Sequence, residues 1–380
     1  MRKVIITIIL ATAIAAGANA QKFKFSYDLN FEYNFDNREF DRGENLYTNS
    51  MTINAARLTP LIGIKVNETG QLRHRLLSGI DIMKEMGKAP VGNGDEALEN
   101  AKLFRELLIF YNLNANVGKT QINGYAGQFP RRLFRGEYGN EFLSDSLRFY
   151  DNNVEGVLLQ FRRPKSLYEL SCDWLGQFGS MRREKFILAG YGCSEFMPWL
   201  SAGMTISYTH LANMLEYGGV VDNLLSQPFV KFNFKPFLPL EELSLKLSWL
   251  QGMQRDRVKD KEFDFPHGAQ LDLKVMKWKV GIENKAYFGT GLMPYYNVKD
   301  AGGNTYGELL YHGDPFYRVI PIVTDLGETG FYDRLEVFYQ PKISDYLYIR
   351  LSLFCHFAEN ASGDIDFAGS RQKFSLIFNL

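Results

Sequence analysis

Residues 23–35 read F-K-F-S-Y-D-L-N-F-E-Y-N-F, and this stretch decides the fold. Phe23, Phe25, Tyr27, Leu29, Phe31, Tyr33 and Phe35 hold the odd positions, and polar residues hold every even one. A β-strand points successive side chains to opposite faces, so the run has one apolar and one polar face. It is 13 residues long, whereas strands of soluble proteins average about 5 to 6. Its apolar face is almost wholly aromatic, which suits a strand that crosses a bilayer and both its interfaces.

The same period recurs to the end of the chain. Leu58, Ile62 and Ile64 share a face, as do Leu107, Ile109, Tyr111 and Leu113, and Leu243, Leu245, Leu247 and Trp249. Leu347, Ile349, Leu351, Leu353, Cys355 and Phe357 precede a last strand with Phe374, Leu376, Phe378 and Leu380. Sixteen such segments are found, and one hairpin more or less would give fourteen or eighteen. Long connections (36–48, 87–100, 132–152, 212–226, 252–266 and about 289–328) alternate with short ones such as Gly118-Lys119 and Met276-Lys277. That alternation is the mark of an outer-membrane barrel with short periplasmic turns. In lipid every backbone group needs a partner within the protein, and only closure removes sheet edges. The expected fold is therefore all-β, a transmembrane antiparallel up-and-down barrel of about sixteen strands. Pro60, which cannot donate a ladder bond, is expected to mark a bulge in the second strand.

Composition fits this class. Lys plus Arg and Asp plus Glu both number 43, so the cationic excess of a nucleic-acid binder is missing. A mean hydropathy of −0.21 excludes a helical transporter. The 30 Phe, 21 Tyr and 4 Trp find their place on lipid-facing strands and at the interfaces. Arg2 and Lys3, the apolar run Val4 to Ala16 and the site Ala18-Asn19-Ala20 predict a signal peptide over 1–20, cleaved after Ala20. Residues 21–380 then form a single barrel domain with no plug before the first strand, located in the outer membrane of a Gram-negative bacterium.

The polar face points into a lumen too wide for wall side chains to fill. By phase about eighteen cations point inward, among them Arg73, Arg75, Arg162, Lys246, Lys274 and Lys279. About ten carboxylates share that face, and acid such as Asp36, Glu39, Asp41 and Glu44 is assigned to the loops. A cation-lined wall raises the local anion concentration; pairing of these charges across neighbouring strands would cancel the preference. The connection 132–152 is the candidate constriction. It follows Gly127-Gln128-Phe129-Pro130-Arg131-Arg132 and carries Arg135, Glu137, Glu141, Asp145, Arg148 and Asp151.

This segment carries a resemblance. G-Q-F, a charged loop, S-D-S-L-R-F-Y-D and then E-G-V-L-L-Q-F look like the fifth strand, third loop and sixth strand of the porin superfamily. The closing F-S-L-I-F-N-L resembles porin-like outer-membrane proteins of the Bacteroidota. The motif spans roughly 40 residues, and the remaining likeness is architectural. The resemblance implies a barrel of sixteen or eighteen strands, often a homotrimer, with the third loop inside. It points to Arg131, Arg132, Arg135 and Asp145 at the eyelet. The chain ends in Leu380 rather than the usual aromatic residue, with Phe378 two positions before; recognition by the barrel assembly machinery is still expected.

Catalytic and metal signatures are weak. The five histidines show no HExxH spacing, and Cys172, Cys193 and Cys355 are scattered. No serine pairs convincingly with the outward His74 or His210. The expectation is a channel for passive diffusion of small hydrophilic solutes, weakly anion-preferring, with no enzymatic activity, cofactor or metal. Its partners would be outer-membrane lipid and small solutes, with no nucleic acid. The alternative is a non-conducting barrel that anchors a surface complex.

Overall fold

The computed structural model describes residues 23–40, 50–69, 71–87, 104–177, 179, 183–213, 219–258, 262–295, 310–317, 329–360 and 362–380. The N-terminal segment assigned to a signal peptide lies outside them. Sixteen antiparallel strands form one closed barrel, each paired with its neighbours in sequence. They are β1 (Phe23–Phe40), β2 (Met51–Thr69), β3 (Leu72–Glu85), β4 (Phe104–Val117), β5 (Thr120–Pro130), β6 (Asn153–Arg163), β7 (Ser166–Gly176) and β8 (Arg183–Met197). The second half comprises β9 (Leu200–Asn213), β10 (Val220–Asn233), β11 (Glu242–Asp256), β12 (His267–Lys277), β13 (Val280–Gly289), β14 (Gly330–Tyr339), β15 (Leu347–Glu359) and β16 (Ile365–Asn379). β1 closes on β16 from Asn30 opposite Asn379 to Phe40 opposite Gly369. The backbones of Leu29 and Leu380 exchange hydrogen bonds of 2.9 and 2.8 Å below that ladder.

The aromatic and aliphatic residues of the expected phase face outward. Phe25, Ile62 and Leu170 are each more than half exposed, while Asn30, Thr59 and Gln160 of the opposite phase are buried. One end of the barrel closes in tight two-residue turns at 118–119, 164–165, 198–199 and 278–279. Longer connections occupy the other end, so the alternation holds.

Several expectations are corrected. Asp36 and Glu39 belong to β1, which continues to Phe40. Residues 220–226 belong to β10 rather than a loop. The turn expected at Met276-Lys277 falls at Trp278-Lys279, whose φ angles are 53° and 66°. Two successive positive φ values match the right-handed twist of a hairpin, and the turn carries them without glycine. Pro60 causes no bulge: Leu29 faces it in an unbroken register. The ladder between β2 and β3 shifts only between Asn67 and Thr69. Its missing N–H costs one ladder bond and no registration.

The largest correction concerns the lumen. Leu61, Leu77, Leu108, Phe110 and Leu158 point inward from β2, β3, β4 and β6 and form a buried cluster with Phe129 and Val154. Burying each such side chain contributes about 1.5–3 kcal/mol. Parts of the long connection after β13 enter as well. Leu292, Met293, Phe316 and Tyr317 pack on Leu250, Tyr287 and Tyr332 of the wall. These apolar clusters fill part of the lumen among the described residues, so the bore is not polar throughout.

Candidate functional site

The third loop, 131–152, lies inside the barrel. A short 3-10 turn, Arg131–Leu133, leaves β5, and a one-and-a-half-turn helix α1, Asp145–Tyr150, returns toward β6. Ser144 caps α1, its hydroxyl accepting from Leu147 N–H at 3.1 Å, which satisfies one of the orphan donors of a helix start.

Three parts of the wall hold the loop across the lumen. On β7, Asp173 accepts from buried Arg131 at 2.8 Å, and Glu169 accepts the Arg135 N–H at 2.8 Å. Arg131 also donates to the carbonyls of Asp151 and Asn153 at 3.2 and 3.0 Å, tying together the two ends of the loop. On β10, Lys231 grips Glu137 at 2.9 Å. On β16, Arg371 donates to Asp145 at 2.6 Å, with Lys373 at 3.7 Å from the same carboxylate. Burial alone would raise the Asp145 carboxyl, but Lys373, Arg371 and Arg334 outweigh it and hold the group well below the usual carboxylate range. Glu137 is likewise lowered, burial opposing and Lys231 prevailing.

The segment 310–317 docks on the inner side of this loop. Ser144 N–H donates to the His312 carbonyl at 2.6 Å and Asp314 N–H to the Asn140 carbonyl at 2.7 Å. Gly313 permits the approach, since a Cβ there would stand 2.3 Å from the Glu141 carbonyl oxygen. Phe316 stacks between Tyr332 and His356, at 4.9 and 4.5 Å between ring centres.

Between the third loop and the wall of β14, β15, β16 and β1 a cavity of about 570 Å³ remains. Eight cations and six carboxylates line it. Arg334, Arg350, Arg371 and Lys373 stand on the wall side, and Arg131, Arg132 and Arg148 on the loop side. Most are held by anions: Arg350 by Glu336 at 2.7 Å and Arg371 by Asp36 at 2.5 Å, Arg132 by Asp28. Arg334 has no carboxylate within ion-pair distance among the described residues; its guanidinium lies over the Phe354 ring at 5.3 Å. An array of fixed donors around such a narrow space can orient small polar solutes and favour anions.

Of the residues singled out from the sequence, Arg131, Arg132, Asp145 and Arg148 meet at this cavity. Arg135 is exposed on the loop, off the cavity lining. The others are elsewhere. Arg75 donates to Asn112 at 2.9 Å, and Arg73 and Arg162 are exposed toward the short-turn end. Lys246 lies over the Phe229 ring and 3.7 Å from Asp272, Lys274 pairs with Glu242, and Lys279 sits in the turn beside Glu241. Cross-strand pairing, the competing reading of the charge pattern, describes several of them, such as Lys246 with Asp272 and Lys274 with Glu242. Asp36 and Arg38 line the cavity and were missed, because the outward Asn37 and Glu39 end the apolar alternation although the strand continues.

A comparison with protein-family models gave no match, and neither did one with curated protein sequences. Solved structures do match in shape. A loop-deletion form of OmpT, an outer membrane protein of Vibrio cholerae, is 7% identical with a TM-score of 0.51, covering 94% of this chain and 100% of that one. The trimer form of in-vitro folded OmpT matches with the same coverage, identity and TM-score. The likeness establishes the fold: a closed sixteen-strand barrel of the outer-membrane type.

Proposed function

We propose that the chain is an outer-membrane channel whose conduction path is the charged slot between the third loop and the β14–β16 and β1 wall. It passes small hydrophilic solutes by diffusion and prefers anions weakly. The observation that carries this is the lining of the slot, eight cations against six carboxylates, on a loop held across the lumen. Residues 1–20 act as the export signal in this reading, and the barrel assembly machinery inserts the chain. The homotrimer and the Bacteroidota source rest on the porin-like motif and belong to the same proposal. Single channels in planar bilayers test it: the expected result is a small conductance and, in a salt gradient, a reversal potential of anion sign. A clear cation preference would sink the selectivity. One observation favours a second reading. The apolar packing of Leu292, Phe316, Tyr317, Tyr287 and Tyr332 inside the barrel suits a non-conducting subunit that anchors a surface complex. A barrel that inserts but stays electrically silent would establish that reading instead.

A further inference from the structure

An ionic cluster occupies the outward face of the barrel at the loop end of β9, β10 and β11. Asp222 stands opposite His210 and Arg255 in register, in the phase of exposed Met204 and Val230. The Asp222 carboxylate accepts from Tyr208 at 2.7 Å and meets His210 Nδ1 at 2.9 Å. Arg257 donates to it twice, from Nε at 2.5 Å and Nη2 at 3.0 Å. Arg255 lies 3.9 Å from it and over the Phe263 ring at 4.4 Å. The Arg257 and Arg255 side chains remain 49% and 30% exposed. Arg255 Nε has no hydrogen-bond partner among the described residues.

The height of the cluster says what it faces. Phe232, stacked with Trp199 and Phe234, marks the short-turn interface. Ten residues separate it from Asp222 on β10, about 33 Å along a strand. A tilt of about 40° projects this to about 25 Å, the height of the apolar band of such barrels. Asp222 and its two arginines therefore stand at the outer edge of the hydrocarbon, where charge meets lipid headgroups. The stacked rings of Trp174, Phe186 and His210, at 5.0 and 5.1 Å, form the aromatic belt beside it.

We infer that Arg255 and Arg257 form a binding site for the phosphate of an outer-leaflet lipid headgroup, pre-oriented by Asp222. This rests on the membrane reading above. A guanidinium is a planar fork matched to phosphate oxygens. Asp222 fixes one edge of Arg257, and two cations over one carboxylate leave the trio positive. Glu184, the next carboxylate on that face, stands beyond Phe186 on β8.

The test uses the full chain in mild detergent with bisphosphorylated lipid A, read by native mass spectrometry. The expected result is one lipid retained per chain by the native protein. R255Q/R257Q should weaken retention by about tenfold or more, since each lost charge-assisted hydrogen bond is worth about that much. Its bilayer conductance should be unchanged, because neither arginine borders the slot. Equal retention by the variant would overturn the inference, as would equal retention of dephosphorylated lipid. Displacement of the lipid by millimolar inorganic phosphate would assign the site to free phosphate instead. Should the double variant fail to fold, R255Q alone decides, because that side chain holds only a 3.9 Å ion-pair contact and a ring contact with Phe263. A native chain that does not insert into bilayers at all would refute the membrane reading, a result distinct from lipid-free insertion.

Discussion

Two walls of the same lumen are built on opposite chemistry. From β14 through β16 to β1, Arg334, Arg350, Arg371, Lys373 and Asp36 surround a cavity of about 570 Å³. From β2 to β6, Leu61, Leu77, Leu108, Phe110 and Leu158 form an apolar cluster, and across β11 to β14 aromatic rings pack with residues 292–293 and 316–317. A charged wall cannot close on itself without leaving ions unsolvated, so it keeps water. An apolar wall gains by closing. The contrast explains why, among the described residues, a barrel of sixteen strands holds an off-centre slot on its charged side.

Removing the third loop is the strongest way to break the contrast. Deletion of 136–150 takes away the inner side of the slot, and single-channel conductance should rise several-fold. An unchanged conductance would place the path elsewhere. Next in size is Phe316→Ala with Tyr317→Ala, which empties the aromatic side. Each truncation of a buried ring costs about 3–5 kcal/mol, so unfolding in urea should come markedly earlier. Conductance should rise less than after loop deletion, since the third loop stays latched to β7, β10 and β16.

Arg371→Gln acts on the charged side alone. It leaves Asp36 and Asp145 without their shared partner, and breaking a buried pair from one side costs about 3–5 kcal/mol. The reversal potential should move toward cation preference. A potential shifted further toward anions would mean that Arg371 does not border the path. The acid side of the same pair responds to pH. The Asp145 carboxyl is held well below its ordinary value, so its pairing stabilises the loop above the ordinary carboxylate pKa of about 3.9. That contribution is lost only as pH falls through the lower folded value. Conductance should stay level from neutral pH to about 4 and rise only in stronger acid; a rise already between pH 6 and 5 would break the argument.

The legible and the hidden divide along these same walls. Strand phase was readable because lipid enforces it: Phe23 to Phe35 and Leu347 to Phe357 face outward as their alternation demands. The third loop was readable as a charged segment between two clear strands, and Arg131, Arg132, Asp145 and Arg148 do meet at the slot. The inner face was not readable, because nothing in a period-2 pattern distinguishes water from a folded loop as the neighbour of Leu61 or Phe110. Arg334, Arg350, Arg371 and Lys373 carried the right phase, but only the path of the third loop selects them over Lys246 and Lys274. Asp36 and Arg38 were hidden because β1 runs past the lipid, where outward residues turn polar and the alternation fades.

The smallest prediction sharpens that last distinction. Lys279 shares cationic character with Arg371, yet it sits in the Trp278-Lys279 turn, half-exposed and paired with Glu241 at 3.0 Å. Exposed pairs of this kind are worth about 0–1 kcal/mol, and water screens such a charge within about 8–10 Å at ordinary salt. Lys279→Gln should leave stability, conductance and reversal potential at the native values, in the same recordings that register Arg371→Gln. A reversal shift as large as that of Arg371→Gln would mean that the field at the short-turn mouth, not the slot, sets selectivity, and the asymmetry of the two walls would then serve packing alone.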